Sequence, residues 1–152
     1  MYSIKTFEYN TPLYQQALTL RDCVLRKPLG LSFTAAELKK DEHDTHFGLF
    51  EGETILACLI LTETENHRMK MRQVAVDDKH QGQGLGKKLN QAAEQYALEQ
   101  GFNIMFCHAR KTAVPFYQSM GYKIVGNEFV EVNIPHYVMV KELAAPKPPK
   151  GA

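Results

Sequence analysis

Apolar and polar positions change period several times along the chain, and each change marks an element. Residues 2–9 alternate well enough to predict a first strand. Thr11-Pro12 then supplies a hydroxyl cap and a proline at the first helical position. Leu13, Ala17, Leu20 and Val24 recur at helical spacing until Pro28-Leu-Gly30 stops the run. Residues 31–44 are less regular, with a short helix predicted to begin at Thr34 and to carry Glu37 and Leu38. Residues 46–50 and 54–61 read as strands joined by a tight hairpin at Glu51-Gly52-Glu53. A fourth strand is predicted over 69–76. A long amphipathic helix follows over 85–100, with Leu85, Leu89, Ala92, Ala93, Tyr96 and Ala97 as its stripe and Gly101 as its stop.

Residues 102–109 form an apolar fifth strand, expected to be parallel to the fourth because a helix crosses between them. Thr112 is read as the cap of a further helix, with Pro115 harmless in its first turn and Gly121 at its end. Residues 122–125 and 137–143 make the last strands. The remainder, 144–152, has nothing to bury and is expected to be a mobile tail. With no internal repeat and no linker, the pattern predicts a mixed α/β domain over 1–143 around one central sheet.

Composition narrows the function. At 152 residues the chain is long enough for one ordinary core. Its 18 basic and 17 acidic side chains nearly balance, and no basic stripe is concentrated anywhere, so nucleic acid is not an expected partner. No apolar run approaches a membrane span, and the N-terminal residues read as a mixed strand and not a signal peptide. Cys23, Cys58 and Cys107 are odd in number and scattered among apolar neighbours, which predicts buried, reduced thiols and a cytoplasmic protein.

The richest segment is Val74-Ala-Val-Asp-Asp-Lys-His-Gln-Gly-Gln-Gly-Leu-Gly-Lys-Lys-Leu89. A short apolar strand and a polar turn lead to Gly82, Gly84 and Gly86 at alternate positions, and then to a helix. Glycines at that density let the backbone approach a ligand and aim several N–H groups together. At a helix start those N–H groups suit a phosphate, and Lys87 and Lys88 add positive charge. A P-loop would need a hydroxyl where Lys88 stands, and a dinucleotide fingerprint would need a longer last interval between glycines. The pattern Gln/Arg-x-x-Gly-x-Gly/Ala does fit, as Gln81-Gly-Gln-Gly84-Leu-Gly86 after a Val-x-Val strand. In this the chain resembles the GNAT superfamily of acyl-CoA-dependent N-acyltransferases.

A second block strengthens the resemblance. His108-Ala-Arg110-Lys-Thr-Ala113-Val-Pro-Phe116-Tyr117-Gln-Ser-Met-Gly121-Tyr122 is similar to the family's strand end followed by Ala-x-x-Phe-Tyr-x-x-x-Gly-aromatic. The likeness covers residues 69–123 well. It implies a mixed, mostly antiparallel sheet of about six to seven strands, helices on both faces, and a parallel pair of fourth and fifth strands forming the cofactor cleft. It also implies acetyl-CoA as acyl donor. The cofactor would be bound by Val74, Ala75, Val76, Gln81, Gly82, Gln83, Gly84, Leu85, Gly86 and Lys87, with Arg110, Phe116 and Tyr117 from the second block.

In such relatives a backbone N–H on the fourth strand polarises the acyl carbonyl, and a tyrosine of the Phe-Tyr pair stands beside the sulfur. That tyrosine maps to Tyr117, a phenol protonated at neutral pH and able to serve as the acid; the alternative is that it packs under its helix, as Phe116 is expected to do. Many relatives carry a glutamate on the fourth strand as the base. Here that stretch reads Arg68-Met-Lys70-Met-Arg72-Gln73, so the role does not carry over. Lys70 and Arg72 share a strand face, which either meets a carboxylate on the acceptor or is simply solvated. His136, in a Pro-His segment of the kind small bacterial relatives often carry, is the leading replacement base; Glu131 would act directly or orient it, and His108 and a water chain are alternatives. His43 and His46 lack a third ligand nearby, so a metal is not expected. Arg110 stands where relatives often have asparagine and could reach a cofactor phosphate.

The reading is a direct ternary-complex transfer of acetyl to a primary amine, with a small molecule or amino acid favoured as acceptor. A protein lysine or N-terminus remains an alternative acceptor, and an idle acyl-CoA-binding sensor an alternative function. Dimers are common among such relatives, so a homodimer is also open.

Overall fold

The computed structural model describes residues 1–143, and the tail expected over 144–152 lies outside the described residues. Seven strands hydrogen-bond in the order β1-β2-β3-β4-β5-β7-β6. They are β1 (Tyr2–Phe7), β2 (Thr45–Glu51), β3 (Thr54–Glu63), β4 (Arg68–Val76), β5 (Ile104–Arg110), β6 (Lys123–Glu131) and β7 (Ile134–Glu142). Four α-helices intervene: α1 (Pro12–Arg21), α2 (Ala35–Lys39), α3 (Leu85–Glu99) and α4 (Val114–Ser119). This is the mixed, mostly antiparallel sheet that the sequence led us to expect. The described residues divide into two compact units, one of Met1–Glu63 with Met71–Ala93, the other of Thr64–Lys70 with those from Glu94 to Leu143. Among the described residues no helix is long and apolar enough to cross a membrane.

In the first unit β1 pairs antiparallel with β2 and β2 with β3, and the β2–β3 turn falls at Gly52, as predicted. Both hairpin strands are buried along nearly their whole length, so their apolar runs are continuous and not alternating. Ala17, Leu20, Phe50, Ile55, Cys58 and Ala75 form a core there, with Phe7, Leu13, Val24 and Leu25 packed against it. Thr11 caps α1 through Tyr14 N–H, and Pro12 occupies the first turn. Thr34 and Glu37 form a reciprocal capping box at α2.

One departure lies after α1. The helix does not continue to Val24 in α geometry; Asp22–Arg26 is a π turn closed by Lys27 N–H on the Asp22 carbonyl. The i→i+5 bonding brings Arg21 and Arg26, five apart, over one aromatic ring: their guanidinium carbons lie 4.7 and 4.3 Å from the Phe33 centroid. The same widening leaves Cys23 exposed, contrary to expectation, while Cys58 and Cys107 are buried.

In the second unit β4 and β5 are parallel, with Arg68, Met69 and Lys70 opposite Ile104, Met105 and Phe106. β5 and β6 each pair antiparallel with β7. β6 runs well past the expected 122–125, through a register shift between Val125 and Phe129 where Gly126 takes φ 82°. Nearly all its side chains are exposed, so its sequence carries no apolar alternation to read. Thr112 does not cap α4; it sits inside a 3-10 turn, Lys111–Ala113, and Ala113 holds the cap position without a side-chain bond. Pro115 in the first turn and Gly121 at the end stand as expected.

Candidate active site

The glycine loop belongs to the first unit. Asp77 starts a 3-10 turn, Asp78–His80, by accepting from Lys79 N–H at 3.2 Å, and it holds His80 Nδ1 at 2.9 Å. The Gln81 side chain donates to the Val76 carbonyl and the Asp78 carboxylate, tying the turn back to the end of β4. Gly82 and Gly84 then take φ values of 81° and 77°, a conformation that costs residues with a Cβ. No heavy atom lies within 4 Å of where a Cβ would stand on either, so the space beside them is open. The first helical bond of α3 runs from Lys88 N–H to the Gly84 carbonyl, 3.1 Å. The N–H groups of Leu85, Gly86 and Lys87 precede it and have no helical acceptor. Leu85 and Leu89 anchor the helix from below, Gln83 and Lys87 are exposed, and Lys88 lies over the Tyr2 ring at 5.2 Å.

Upstream, Gln73 has φ 55° in the middle of β4, a strained conformation for a side-chain-bearing residue. Its Oε1 is buried without a hydrogen-bond partner. Val74 and Val76 are partly exposed and Ala75 is buried in the same core cluster as Cys58. Burial pushes the Cys58 thiol up to about 12, which leaves it an inert core thiol.

Arg72 corrects the expectation for β4. It is neither solvated nor turned toward an acceptor: it bonds Asp41 at 2.8 Å, Asp44 at 2.6 Å and Thr62 at 3.1 Å. Asp41 is fully buried and also receives Arg21 at 2.8 Å and the Tyr14 hydroxyl at 2.7 Å. Burial alone would raise its carboxyl; the charge of Arg21 and the bonds from Arg21, Tyr14 and Arg72 outweigh that and hold it low. His46 is likewise a core residue, its Nε2 donating to the Asp41 carbonyl at 2.9 Å. Sequence reasoning missed this network, in which Arg72 and Asp41 bond across 31 positions with no local spacing to connect them.

The second unit holds the other candidates. Tyr117 is 7% exposed, and its ring meets Phe116 and Tyr122 edge-on at 5.1 and 5.7 Å. Burial, with a smaller contribution from Cys107, raises the phenol well above its ordinary range. Phe116 is 38% exposed, contrary to the expectation that it packs under the helix, and the buried member of the pair is Tyr117.

Glu131, paired from the sequence with His136, also meets His108. Glu131 Oε1 accepts from His108 Nδ1 at 3.1 Å, and its Oε2 lies 3.8 Å from His136 Nε2. His136 is buried, and its Nδ1 donates to the Ile134 carbonyl at 2.7 Å. Arg110 lies opposite His136 in the β5–β7 register.

Comparison with known proteins agrees with this architecture. Residues 29–143 match the family model described as acetyltransferase (GNAT) domain. The protein YyaT of Bacillus subtilis is 33% identical over 78 residues, 51% of this chain and 53% of that protein. The chain thus spans about half the length of the curated relatives it matches. A Lactobacillus plantarum protein assigned as an N-acetyltransferase superposes with a TM-score of 0.84 at 25% identity, covering 94% of this chain and 99% of that one. An aminoglycoside 6'-N-acetyltransferase complexed with coenzyme A shares the fold, with a TM-score of 0.79 at 15% identity over 96% of this chain and 99% of that one. With its seven-stranded mixed sheet and its match over residues 29–143, the chain belongs to the GNAT acetyltransferase domain family.

Proposed function

We propose that the protein transfers the acetyl group of acetyl-CoA directly to a primary amine, a small molecule or an amino acid, within a ternary complex. The observation that carries this reading is the open loop at Gly82 and Gly84 ahead of α3, in a chain of the acetyltransferase family. The N–H groups of Leu85, Gly86 and Lys87 suit a pyrophosphate, and the bare glycines admit it closely. Gln73 Oε1, buried and unpaired, offers an acceptor near Val74, Ala75 and Val76 for an amide of the pantetheine arm. When bound, acetyl-CoA supplies an acetyl thioester. A backbone N–H within Val74 to Val76 polarises its carbonyl.

Gln81 and Gln83 shape the loop, and Lys87 adds charge at the helix start. Arg110 is proposed as a phosphate contact and Phe116 as an apolar border of the cofactor. Tyr117 donates to the sulfur as the carbon–sulfur bond breaks, and its burial keeps it in the protonated form that can donate. The acceptor's proton is taken up within the group of His108, Glu131 and His136. Thiol release from acetyl-CoA, measured against a broad amine panel, tests the reading. Wild type should release thiol only with a suitable amine, and Tyr117→Phe should lower that rate about a hundredfold. Tight acetyl-CoA binding without release for any amine or peptide would leave an acyl-CoA-binding module instead.

A further inference from the structure

We infer that His108, and not the deeper His136, is the base that accepts the amine's proton, with Glu131 as its positioning residue; this rests on the acetyltransferase reading above. Side chains alternate along β5, so Cys107 and Ala109 are buried on one face while Phe106, His108 and Arg110 share the other. The β7 register puts Val138 opposite His108 and His136 opposite Arg110, and β6 puts Phe129 opposite His136. The Phe129 ring stands edge-on to His108 at 5.2 Å, and Phe106 lies 6.5 Å away. Two phenyl walls and one carboxylate therefore set the imidazole's orientation.

The tautomers follow from what each ring faces. A carboxylate only accepts, so His108 Nδ1 carries the hydrogen given to Glu131, and its Nε2 holds the lone pair. That Nε2 has no hydrogen-bond partner among the described residues, and the side chain is 27% exposed. His136 is arranged differently. Its Nδ1 hydrogen is committed to the Ile134 carbonyl, its side chain is only 5% exposed, and its Nε2 lone pair faces Glu131 at 3.8 Å, beyond hydrogen-bond range. A lone pair turned to a carboxylate neither binds Glu131 nor meets an incoming amine. The other charged groups around His108 are Arg110 on its own face of β5, Lys70 opposite Phe106, and Arg68, whose guanidinium lies 4.7 Å from the Phe106 centroid.

The proton balance is simple. As the amine nitrogen forms its bond to the acetyl carbon, it sheds one proton to His108 Nε2. As the carbon–sulfur bond breaks, the sulfur takes one proton from Tyr117, giving amide and free thiol. The imidazolium and the phenolate then exchange a proton through water, and both groups are reset.

The test combines histidine 15N spectra of the full chain with kinetics on an amine found in the panel. Wild-type spectra should show His108 protonated on Nδ1, and that preference should disappear in Glu131→Gln. His108→Gln should lower kcat about a hundredfold and remove the acid-side limb of the kcat/KM profile, with acetyl-CoA affinity and melting temperature near wild type. His108→Gly should regain activity with added imidazole, which guards against a folding defect. His136→Gln should keep the limb and lose less than tenfold. A proton on His108 Nε2, or a limb kept by His108→Gln and lost in His136→Gln, overturns the assignment but leaves the transferase reading standing. Acetyl-CoA binding without release by wild type overturns both.

Discussion

Gly84 and Tyr117 show how much a single residue's surroundings can add to its identity. Gly84 stood out from the glycine spacing and Tyr117 from the family resemblance, yet their environments differ in kind. The loop glycine is open and its role is conformational: φ 77° costs a Cβ-bearing residue about 1–2 kcal/mol. Gly84→Ala should therefore weaken coenzyme A binding by about tenfold as the loop relaxes, while the melting temperature moves only a few degrees; calorimetric titration with coenzyme A measures this. Tyr117 is enclosed, and its neighbours Phe116 and Tyr122 were legible as a motif. Which of the aromatic pair turns inward was not, because successive residues on a six-residue helix differ by about 100° and either could face the core. Arg72 was misread for a related reason. Strand alternation assigns a face but not the occupants of that face, and Asp41 and Asp44 arrive there from a distant loop.

At the scale of elements, that loop joins pieces that local pattern treats separately. Asp41 receives Tyr14 and Arg21 from α1 and Arg72 from β4, while His46 of β2 bonds its backbone. Removing the shared acceptor would leave Arg21 as a buried, uncompensated charge. Asp41→Ala should destabilise the fold by about 3–5 kcal/mol, read as a shifted urea midpoint, whereas replacing the exposed Glu53 should change little. Caps, turns and amphipathic stripes were legible because their signals lie within a few residues. The π turn at Asp22–Arg26 was not, since nothing local announces that Arg21 and Arg26 must share the Phe33 ring. Nor was the second half of β6, an edge strand whose exposed side chains need no pattern.

For the whole molecule, the buried titrating groups set how stability responds to acid. Burial holds His46 below the ordinary histidine value, with Arg21 adding to this and the contact with Asp41 opposing it. The folded state thus favours the neutral ring: its contribution is complete above about pH 6.5 and is lost as pH falls through the depressed folded value. Asp41, also depressed, adds a second loss below the usual carboxylate range of about 3.9. Melting temperature should fall as pH drops from about 6.5 to 5, and His46→Gln should flatten that decline while lowering stability throughout; thermal melts from pH 8 to 4 measure both. The family and the class of chemistry were readable in the order of residues, because a phosphate loop, a capped helix and a Phe-Tyr block are contiguous and their physics acts over a few positions. The meeting of His108 with Glu131, 23 residues apart, and of Arg72 with Asp41, 31 apart, was decided only in three dimensions. Periodicity records which face a side chain occupies, but the register of strands and the path of loops determine which faces meet, and those depend on the packing of the folded chain.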